Sequence, residues 1–391
     1  MLINREEFLG KLSSVSKVAN FKDAKGVVKF KVVNEVMHLM GADGSNTVNT
    51  TIKVENVSDV ESGTVYYVNS GDIINYVKNL GAFETEVIEL KVVNDLLLEI
   101  VTGNAKYGVN MLAIENYPLS PSFNLKEMGT SYMISVDGAF TNAVKNVSRT
   151  IFGNESRPVF NFAHCSISAG NKMQLFSTDG VRCTKQVIEC KVTNKETGEV
   201  SSEFEADFLI DPVLVRPLIS NGNIEIFLSE EHIYIIDKTT IITLKKSNLQ
   251  YPVDIMNVVF PEVDFSEKKF PYQTLVDLSG EELNNALNLA RAISFEKKEK
   301  VCKISLSAEG ALLLIKNKSA ESVINIKANV VGQHIDICLD LNKLDVLQNG
   351  IENMRIGFTG DRNSFVIHNN DEVKDFTYLC SVLPIDPKTW K

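Results

Sequence analysis

The sequence carries one pattern three times, at a spacing of roughly 130 residues that far exceeds the period of solenoid repeats. Passages beginning near Asn4, Asp137 and Ser279 each predict an amphipathic helix, a run of strands, a short second helix ending in glycine, and further strands. Each passage is long enough to bury a core of its own. Three similar domains in one chain predict an arc, and arcs can close into rings.

Composition limits the function classes. The chain has 391 residues, 44% of them hydrophobic and 23% charged, which is ordinary for a soluble protein of two or three domains. No apolar run is long enough to cross a membrane. The N-terminal segment has a helical period and acidic residues, so we expect no secretory signal and a cytoplasmic location.

The cysteines fit a reducing compartment, because no Cys-x-x-Cys pair occurs and most lie in apolar, strand-like runs. They are Cys165, Cys183, Cys190, Cys302, Cys338 and Cys380. We therefore expect buried thiols rather than disulfides or a zinc site. The formal net charge of -10 argues against coating of DNA by bulk attraction, but it leaves open contact through one basic face.

The first helix of each repeat is predicted from apolar residues at helical spacing. The apolar stripes comprise Phe8, Leu12, Val15 and Ala19; Phe140, Val144, Val147 and Ile151; and Leu283, Leu287 and Ala290. Ser279 and Glu282 have the spacing of a capping box. The second helices are predicted after Ser70, which we expect to be an N-cap, after Asp211 and near residues 341–350, with Pro217 shortening the middle one.

Proline-containing polar links near residues 117–127 and 261–271 mark the expected domain boundaries. They give three domains, 1–126, 127–262 and 263–391. Strands outnumber helices in each, so we expect an α+β fold with helices packed on one face of antiparallel sheets.

Three anchors resemble one known family. The segment LFSTDGVRCT supplies Thr178, Asp179, Gly180 and Arg182, and TYLCSVLPI ends in the apolar-Pro-apolar triplet at residues 383–385. HLMGADG, followed later by YGVNMLAIENYPLSP, is the third anchor. In this order the anchors resemble the bacterial sliding clamp (DNA polymerase III beta subunit) family over nearly the whole chain.

The resemblance implies a ring of two chains joined head to tail around duplex DNA, with three similar domains of the DNA clamp fold per chain. Helices line the hole and antiparallel sheets form the outer wall. Such a ring tethers the replicative DNA polymerase and other partners without chemistry, cofactor or metal of its own. Its implied partners are double-stranded DNA, the polymerase, the clamp loader, other proteins with a clamp-binding motif, and a second copy of the chain.

Basic residues on the predicted helices fit an inner wall that contacts phosphate. They are Lys11, Lys17, Lys78, Lys145, Arg149, Arg216, Arg291 and Lys343, with Lys22 and Lys25 in the loop after the first helix. Without the resemblance, such residues would be interpreted as solvated helix faces, since acidic residues share these helices.

The family's cleft for short peptides, typically Gln followed by spaced Leu and Phe, implies a partner pocket here. The matching positions are Phe160, Thr178, Gly180, Val181, Arg182, Cys183, Pro252, Val259, Ser364, Leu383, Pro384 and Ile385. Val181 stands where the family often has His, and Cys183 where it often has Leu. The chain continues past Ile385 with DPKTWK, and we expect Trp390 in this tail to lie near the cleft or the tail to be disordered.

The ring contact implied by the resemblance joins the first domain of one chain to the third of another. Its positions are Tyr76, Leu80, Lys106, Tyr107 and Phe295. The basic residues expected there are partly missing, because Asn104, Gly71 and Asp72 occupy such positions. A specialised clamp-like paralogue of phage or plasmid type, with a weak ring serving one partner, is therefore the alternative.

An enzyme is the other alternative, and the histidines do not favour it. His164 and Cys165 are adjacent, so on a strand they point to opposite faces. His334 and Cys338 would share a face but lie about 13 Å apart. No His-Glu-x-x-His, Gly-x-Ser-x-Gly or phosphate-binding glycine loop occurs, so we expect no catalytic activity.

Overall fold

A computed structural model describes most of the chain. It covers residues 1–391 except 22–23, 58–61, 84, 104, 119–130, 152, 154–155, 169, 255–258, 261–271, 294–299, 317–320, 348–350, 362, 370–377, 383 and 385–391. The tail with Trp390 and the six residues after Ile293 lie outside the described residues.

The helices begin where the repeat predicts them. They are α1 (Arg5–Ser16), α2 (Ser70–Asn79), α3 (Gly138–Val147), α4 (Pro212–Val215) and α5 (Gly280–Ala292). Shorter 3-10 helices cover Leu80–Phe83, Ser148–Thr150, Pro158–Asn161 and Leu341–Leu347. The expected starts of the three first helices, at Asn4, Asp137 and Ser279, are confirmed.

Side-chain caps explain two of these starts. The Asn4 side chain accepts a hydrogen bond from the N–H of Glu7 at 3.0 Å, which satisfies a donor of the first turn of α1. Asp137 accepts in the same way from Ala139 at 2.8 Å. The predicted capping box at Ser279 is wrong, because Ser279 makes no side-chain cap bond and Glu282 instead accepts from the N–H of Lys327 at 3.1 Å.

The second helices differ from the sequence prediction in their cap, length or helix type. Asn69, not Ser70, caps α2, since it accepts from the N–H of Gly71 at 3.0 Å. The predicted shortening at Pro217 is confirmed, because α4 is a single turn that ends at Val215. In the third repeat the element is a 3-10 helix, Leu341–Leu347.

The strands of the first and second repeats are β1–β19. Their bounds are β1 Leu2–Asn4, β2 Asn20–Phe21, β3 Ala24–Lys25, β4 Val27–Val33, β5 Val36–Ala42, β6 Thr47–Lys53, β7 Val65–Asn69, β8 Val87–Val93, β9 Leu97–Thr102, β10 Ala105–Asn110, β11 Tyr132–Val136, β12 Ala163–Ser168, β13 Lys172–Thr178, β14 Arg182–Glu189, β15 Lys191–Asn194, β16 Ala206–Ile210, β17 Ile224–Leu228, β18 His232–Asp237 and β19 Thr240–Lys245.

The third repeat supplies β20–β28. Their bounds are β20 Thr274–Ser279, β21 Val301–Ser307, β22 Gly310–Lys316, β23 Glu321–Ile326, β24 Ala328–Gly332, β25 Ile335–Asp340, β26 Asn353–Phe358, β27 Phe365–Asn369 and β28 Tyr378–Val382.

The chain divides into two compact units. The first contains Met1–Thr141, Cys190–Ser201 and Leu214–Ser247; the second contains Asn142–Glu189, Ser202–Val213 and Asn248–Lys391. These units do not follow the repeat, because the sheet of each one joins strands from two repeats. The boundaries of the three expected domains therefore stay a prediction.

The first unit contains a four-stranded sheet, β1-β8-β9-β10, and a nine-stranded sheet, β15-β11-β17-β18-β19-β6-β5-β4-β7. Strands β2 and β3 form a separate two-stranded ladder. Helix α1 buries Phe8, Leu12 and Val15 against α2 and the strands β5 and β6. These apolar side chains are the predicted stripe of the first helix, so its interpretation as a core-facing helix is confirmed.

The second unit repeats this architecture with a nine-stranded sheet, β16-β12-β13-β14-β28-β27-β26-β20-β24, and a four-stranded sheet, β23-β22-β21-β25. Its largest core cluster includes Leu283, Leu287 and Ala290 of α5. The 3-10 helix adds Leu341 and Leu344 to the same cluster. All strand pairs in both units are antiparallel, as the α+β prediction expected.

Two further expectations concern the cysteines and the membrane. Five cysteines are free and buried, as predicted, while the side chain of Cys380 lies outside the described residues. Among the described helices, none combines the length and apolar character that a membrane crossing requires.

The contact between α1 and β5 leaves no room for a side chain at Gly41. A Cβ atom built there would lie 1.9 Å from the carbonyl oxygen of Val15. We expect Gly41→Ala to lower the free energy of unfolding by about 2 kcal/mol, because the helix must move off the sheet. Gly10→Ala, on the open side of α1 with nothing within 4 Å, should instead stabilise by about 1 kcal/mol. Urea unfolding of both variants checks the pair, and equal midpoints would contradict it.

Candidate functional site

The turn between β13 and β14 is held by its own side chains. The Thr178 hydroxyl donates to the carbonyl oxygen of Arg182 at 2.8 Å and accepts from the N–H of Gly180 at 3.0 Å. Asp179 accepts from the N–H groups of Val181 at 2.9 Å and Arg182 at 2.7 Å. Gly180 has φ +87°, a conformation that favours glycine. These hydrogen bonds and the conformation of Gly180 together fix the shape of the turn.

A buried ion cluster ties the turn to the 3-10 helix of the third repeat. The Nε of Arg182 lies 3.0 Å from the Asp179 carboxylate, and each side chain is only 4% exposed. The Lys343 ammonium lies 3.5 Å from the same carboxylate. Burial alone would raise the pKa of Asp179, but Arg182, two backbone N–H groups and Lys343 outweigh it and hold that pKa below 3.8.

This depressed pKa has a consequence for acid stability. An Asp whose pKa is lower in the folded than in the unfolded chain contributes stability above the unfolded value, and that stability is lost as the pH falls through the folded value. We expect the free energy of unfolding to fall on acidification below about pH 4. Asp179→Asn should show a shallower fall there, measured by urea unfolding at several pH values. Parallel curves would mean that Asp179 is not the titrating group.

The second feature of the site is an apolar cluster beside the turn. It comprises Phe176, Cys183, Leu209, Tyr251, Phe260 and Val366, with Val159, Phe162, Val259 and Tyr272 packed against it. Burial raises the pKa of the Cys183 thiol to about 11, so it remains an S–H donor, 3.2 Å from the Thr178 hydroxyl. The cluster gives the turn an apolar floor.

Tyr251 connects this floor to the turn. Its hydroxyl accepts from the N–H of Thr178 at 3.1 Å, and its ring meets Phe176 edge-on at 5.8 Å. His164 stacks on the other side at 5.7 Å and lies 3.1 Å from the Asp207 carboxylate. Burial lowers the pKa of His164, and Asp207 opposes that shift. His164 therefore supports the tyrosine and does not pair with Cys165.

The edge of the site, here called the rim, combines apolar side chains with the cationic side chain of Arg157. The Arg157 guanidinium lies over the Phe160 ring, 5.8 Å from its centre. A Cβ at Gly180 would lie 3.6 Å from Arg157 and 3.7 Å from Phe160, so all three are neighbours. Val181, at the tip of the turn, is 41% exposed. Apolar and aromatic side chains with a few fixed polar groups are the usual lining of a ligand site.

The described contacts bring together part of the predicted pocket. Phe160, Thr178, Gly180, Arg182, Cys183 and Val259 lie in the turn, the floor or the rim. Pro252, Ser364 and Pro384 are half-buried and Val181 is exposed, while Leu383 and Ile385 lie outside the described residues. Sequence reasoning missed Arg157, His164 and Tyr251, although the adjacent Pro252 marked the position of the tyrosine.

The predicted DNA-facing residues fall into two groups. Lys17, Lys25, Lys78, Lys145 and Arg216 are exposed, Lys11, Arg149, Arg291 and Lys343 are half-buried, and Lys22 lies outside the described residues. Lys11 donates to the hydroxyls of Thr239 at 2.6 Å and Thr240 at 3.3 Å. Because Lys11 and Lys343 make these internal contacts, the exposed five are better suited to contact a ligand.

Two of the residues expected at the ring contact, Lys106 and Tyr107, lie on an edge strand. Strand β10, with Lys106 and Tyr107, is the last strand of its four-stranded sheet. The rings of Tyr76 and Tyr107 stack with centres 4.4 Å apart, and Lys106 lies 2.6 Å from Glu99. Leu80 is buried, and Phe295 lies outside the described residues. An edge strand offers unpaired backbone groups to another strand.

The chain is similar to known DNA polymerase sliding clamps. No protein-family model matches the chain. It is 22% identical to the beta sliding clamp of Mycoplasma capricolum subsp. capricolum over 302 residues, 73% of this chain and 72% of the relative. The sliding clamp of Bacillus subtilis is 17% identical, with TM-score 0.77 over 98% of both chains. The DNA polymerase III beta subunit of Thermotoga maritima is 19% identical, with TM-score 0.77 over 98% of both chains.

The fold is therefore that of DNA polymerase sliding clamps. A third example, the clamp of Pseudomonas aeruginosa with a ligand, matches over 99% of both chains at 18% identity and TM-score 0.74. The resemblance to the bacterial sliding clamp (DNA polymerase III beta subunit) family, predicted from three sequence anchors, is confirmed.

Proposed function

We propose that this chain is a DNA sliding clamp of the cytoplasm, with domains 1–126, 127–262 and 263–391. Two copies close head to tail around duplex DNA and tether the replicative DNA polymerase, with no chemistry of their own. The observation that carries the proposal is the clamp fold, in which β10 of the first unit and β23 of the second unit are both edge strands of their sheets. The clamp loader and other proteins with a clamp-binding motif complete the set of partners.

The repeats join by one rule of strand pairing, here called the junction rule. Each repeat has a run of three antiparallel strands after its first helix, and these runs are β4-β5-β6, β12-β13-β14 and β21-β22-β23. The third strand of the first run, β6, pairs with the last strand of the second repeat, β19. The third strand of the second run, β14, likewise pairs with the last strand of the third repeat, β28. The rule leaves two strands at sheet edges: β23, the third strand of the third run, and β10, the last strand of the first repeat. Pairing of β23 with β10 of a second copy would close the arc into a ring.

The register of this closing pair follows from the two existing junctions. Thr47 pairs with Thr243 and Cys183 with Ser381, and these pairs occupy equivalent places in the repeat. The same register places Glu321 opposite Gly108 of the second copy, and Val323 opposite Lys106 of the second copy. Val323 is 53% exposed on its edge, which suits a side chain that an interface would cover.

Retention by a ring requires only weak contact with DNA. Exposed cations such as Lys17, Lys78 and Lys145 lie at or near the ends of α1, α2 and α3. Each would neutralise a phosphate, and such contacts weaken steeply as salt rises. The ring then slides because no base is read. This removes the conflict between a net charge of -10 and a DNA-bound function.

The pocket supplies the partner contact. An apolar floor at Phe176, Tyr251 and Phe260 suits the Leu and Phe side chains of a short peptide. The Thr178–Arg182 turn supplies polar groups that would orient the peptide chain and its Gln. Such anchors in an apolar groove carry most of the affinity of peptide complexes.

Loading on DNA tests the proposal. The chain is incubated with nicked circular plasmid, the cognate clamp loader and ATP, and the protein bound to DNA is separated by gel filtration. We expect co-elution with the circle and loss of the protein after a single restriction cut, because a ring slides off an end. Equal retention on circular and linear DNA would mean ordinary DNA affinity and would overturn the proposal.

A further inference from the structure

One surface of the first unit is not used by the proposed function. It lies on the face of the nine-stranded sheet opposite α1 and consists of Lys29, Lys31, His38, Lys53 and Tyr67, here called the basic face. The alternate residues of β4, Val28, Phe30 and Val32, are buried on the α1 side, so Lys29 and Lys31 point away from it.

The strand register brings the basic face together. Lys31 is paired with His38 on β5 and with Val65 on β7. Lys29 is paired with Tyr67 on β7. Alternate residues along a strand are about 6.6 Å apart and neighbouring strands about 4.8 Å apart. Lysine side chains at that spacing match successive phosphates of an extended single strand of nucleic acid.

Tyr67 is held at the border of this surface. The adjoining part of the sheet face is apolar and covered by Tyr117, whose hydroxyl donates to the carbonyl oxygen of Val27 at 2.8 Å. The rings of Tyr67 and Tyr117 are tilted against each other with centres 5.2 Å apart. Tyr67 is half-buried, so part of its side chain packs on this cluster and part remains accessible to solvent.

The basic face carries positive charges close together. Burial, and then the nearby Lys31, lower the pKa of both Lys29 and His38. Within the described part of the chain, no ion pair involves Lys29, Lys31, His38 or Lys53. Lys29 and Lys31 are alternate residues on one face of β4, and like charges about 6.6 Å apart repel each other. An anionic ligand would relieve this repulsion.

We propose that the basic face binds a single strand of nucleic acid, with phosphates at Lys29 and Lys31 and a base stacked on Tyr67. A cationic groove or face with an aromatic platform is the usual architecture of single-strand sites. An acidic peptide would satisfy the lysines but would make no use of the open tyrosine ring, which favours nucleic acid. The site lies in one unit and does not require a closed ring.

Fluorescence anisotropy with a labelled oligothymidylate of about 16 nucleotides tests this proposal on the full chain. Lys29→Gln/Lys31→Gln should raise Kd about tenfold and reduce the slope of log K against log salt by about 1.4, the value for two lost phosphate contacts. Tyr67→Leu should also raise Kd about tenfold while leaving that slope unchanged, since stacking releases no counterions.

The matched control removes two positive charges from strands outside the basic face. Lys172→Gln/Lys245→Gln replaces two exposed strand lysines outside the basic face and should keep Kd within about twofold of the wild type. Lys29→Arg/Lys31→Arg should restore binding, which separates a phosphate contact from a folding defect. Equal loss in the control pair would overturn the proposal, as would a Tyr67→Leu variant of unchanged affinity. A poly-glutamate peptide that binds the face while oligothymidylate does not would also overturn it.

Discussion

Val323→Lys is expected to convert the proposed head-to-tail dimer to monomers at micromolar concentration. The register inferred for the closing strands places this residue opposite Lys106 of the second copy, so two ammonium groups would meet in a covered interface. Loss of apolar burial and like-charge repulsion each cost about 1–2 kcal/mol, and the ring contains the contact twice. We therefore expect the dimer Kd to rise at least about a hundredfold, measured by sedimentation equilibrium.

The chain offers a closely matched control. Val331 is 59% exposed, against 53% for Val323, and lies on β24, the edge strand of the nine-stranded sheet in the same unit. The junction rule leaves β24 without a partner in the ring, so Val331→Lys should not change the Kd. Adding Lys106→Glu to Val323→Lys should recover part of the dimer. Equal effects of the two valine variants would show that β23 is not the closing strand.

Asp179→Ala is expected to abolish partner-peptide binding and to lower the free energy of unfolding by about 3 kcal/mol. The change removes two hydrogen bonds to backbone N–H groups and leaves the Arg182 guanidinium, buried in the turn, without this carboxylate. The turn would then lose the shape that faces the apolar floor. Urea unfolding and anisotropy of a labelled Gln-Leu-Phe peptide measure the two effects.

Asp207→Ala is the control for this prediction. Asp207 lies on a strand of the same sheet and pairs with His164, but its side chain is 73% exposed. An exposed pair contributes at most about 1 kcal/mol, so this variant should stay near the wild type in stability and affinity. If Asp179→Ala bound the peptide normally, the turn would not be part of the partner site.

The sequence predicted features that depend on local chemistry. Asn4, Asp137 and Ser279 were expected to begin helices because their side chains and the following apolar stripes are local signals, and all three do. The capping box at Ser279 was wrong because Glu282 finds a better partner at Lys327, 45 residues away in sequence. Tertiary contacts of this kind outweigh a local spacing rule.

Long-range contacts explain what sequence reasoning missed in the site. The positions of Thr178, Asp179 and Arg182 were marked by a turn motif, but nothing in the motif indicated that Lys343 would reach the same carboxylate. Tyr251 and His164 are separated by 87 residues and meet because a strand and a loop converge on one side of the sheet. Contacts between residues so far apart in the sequence produce no periodic pattern from which they could be predicted.

The pairing of strands from different repeats within one sheet is the largest architectural feature that the sequence did not predict. Proline-containing links suggested three separate domains, yet β6 pairs with β19 and β14 with β28 across the repeats. The alternation of apolar and polar residues along a strand shows which face of the sheet is buried. It does not show whether the hydrogen-bonding edge of that strand meets water or another strand. The register of these pairs is what predicts the closing strands.

The most direct test of the central claim, that two copies close around DNA, is a covalent ring. Lys106→Cys and Val323→Cys in one chain would place two thiols within reach of a short bismaleimide across each closing contact, while the five described native cysteines are buried. After loading on nicked circular plasmid and cross-linking, the measurement is protein retained on DNA in denaturant. We predict retention on the circle and release after a single restriction cut. Loss from the circle in denaturant, despite complete cross-linking, would contradict encirclement.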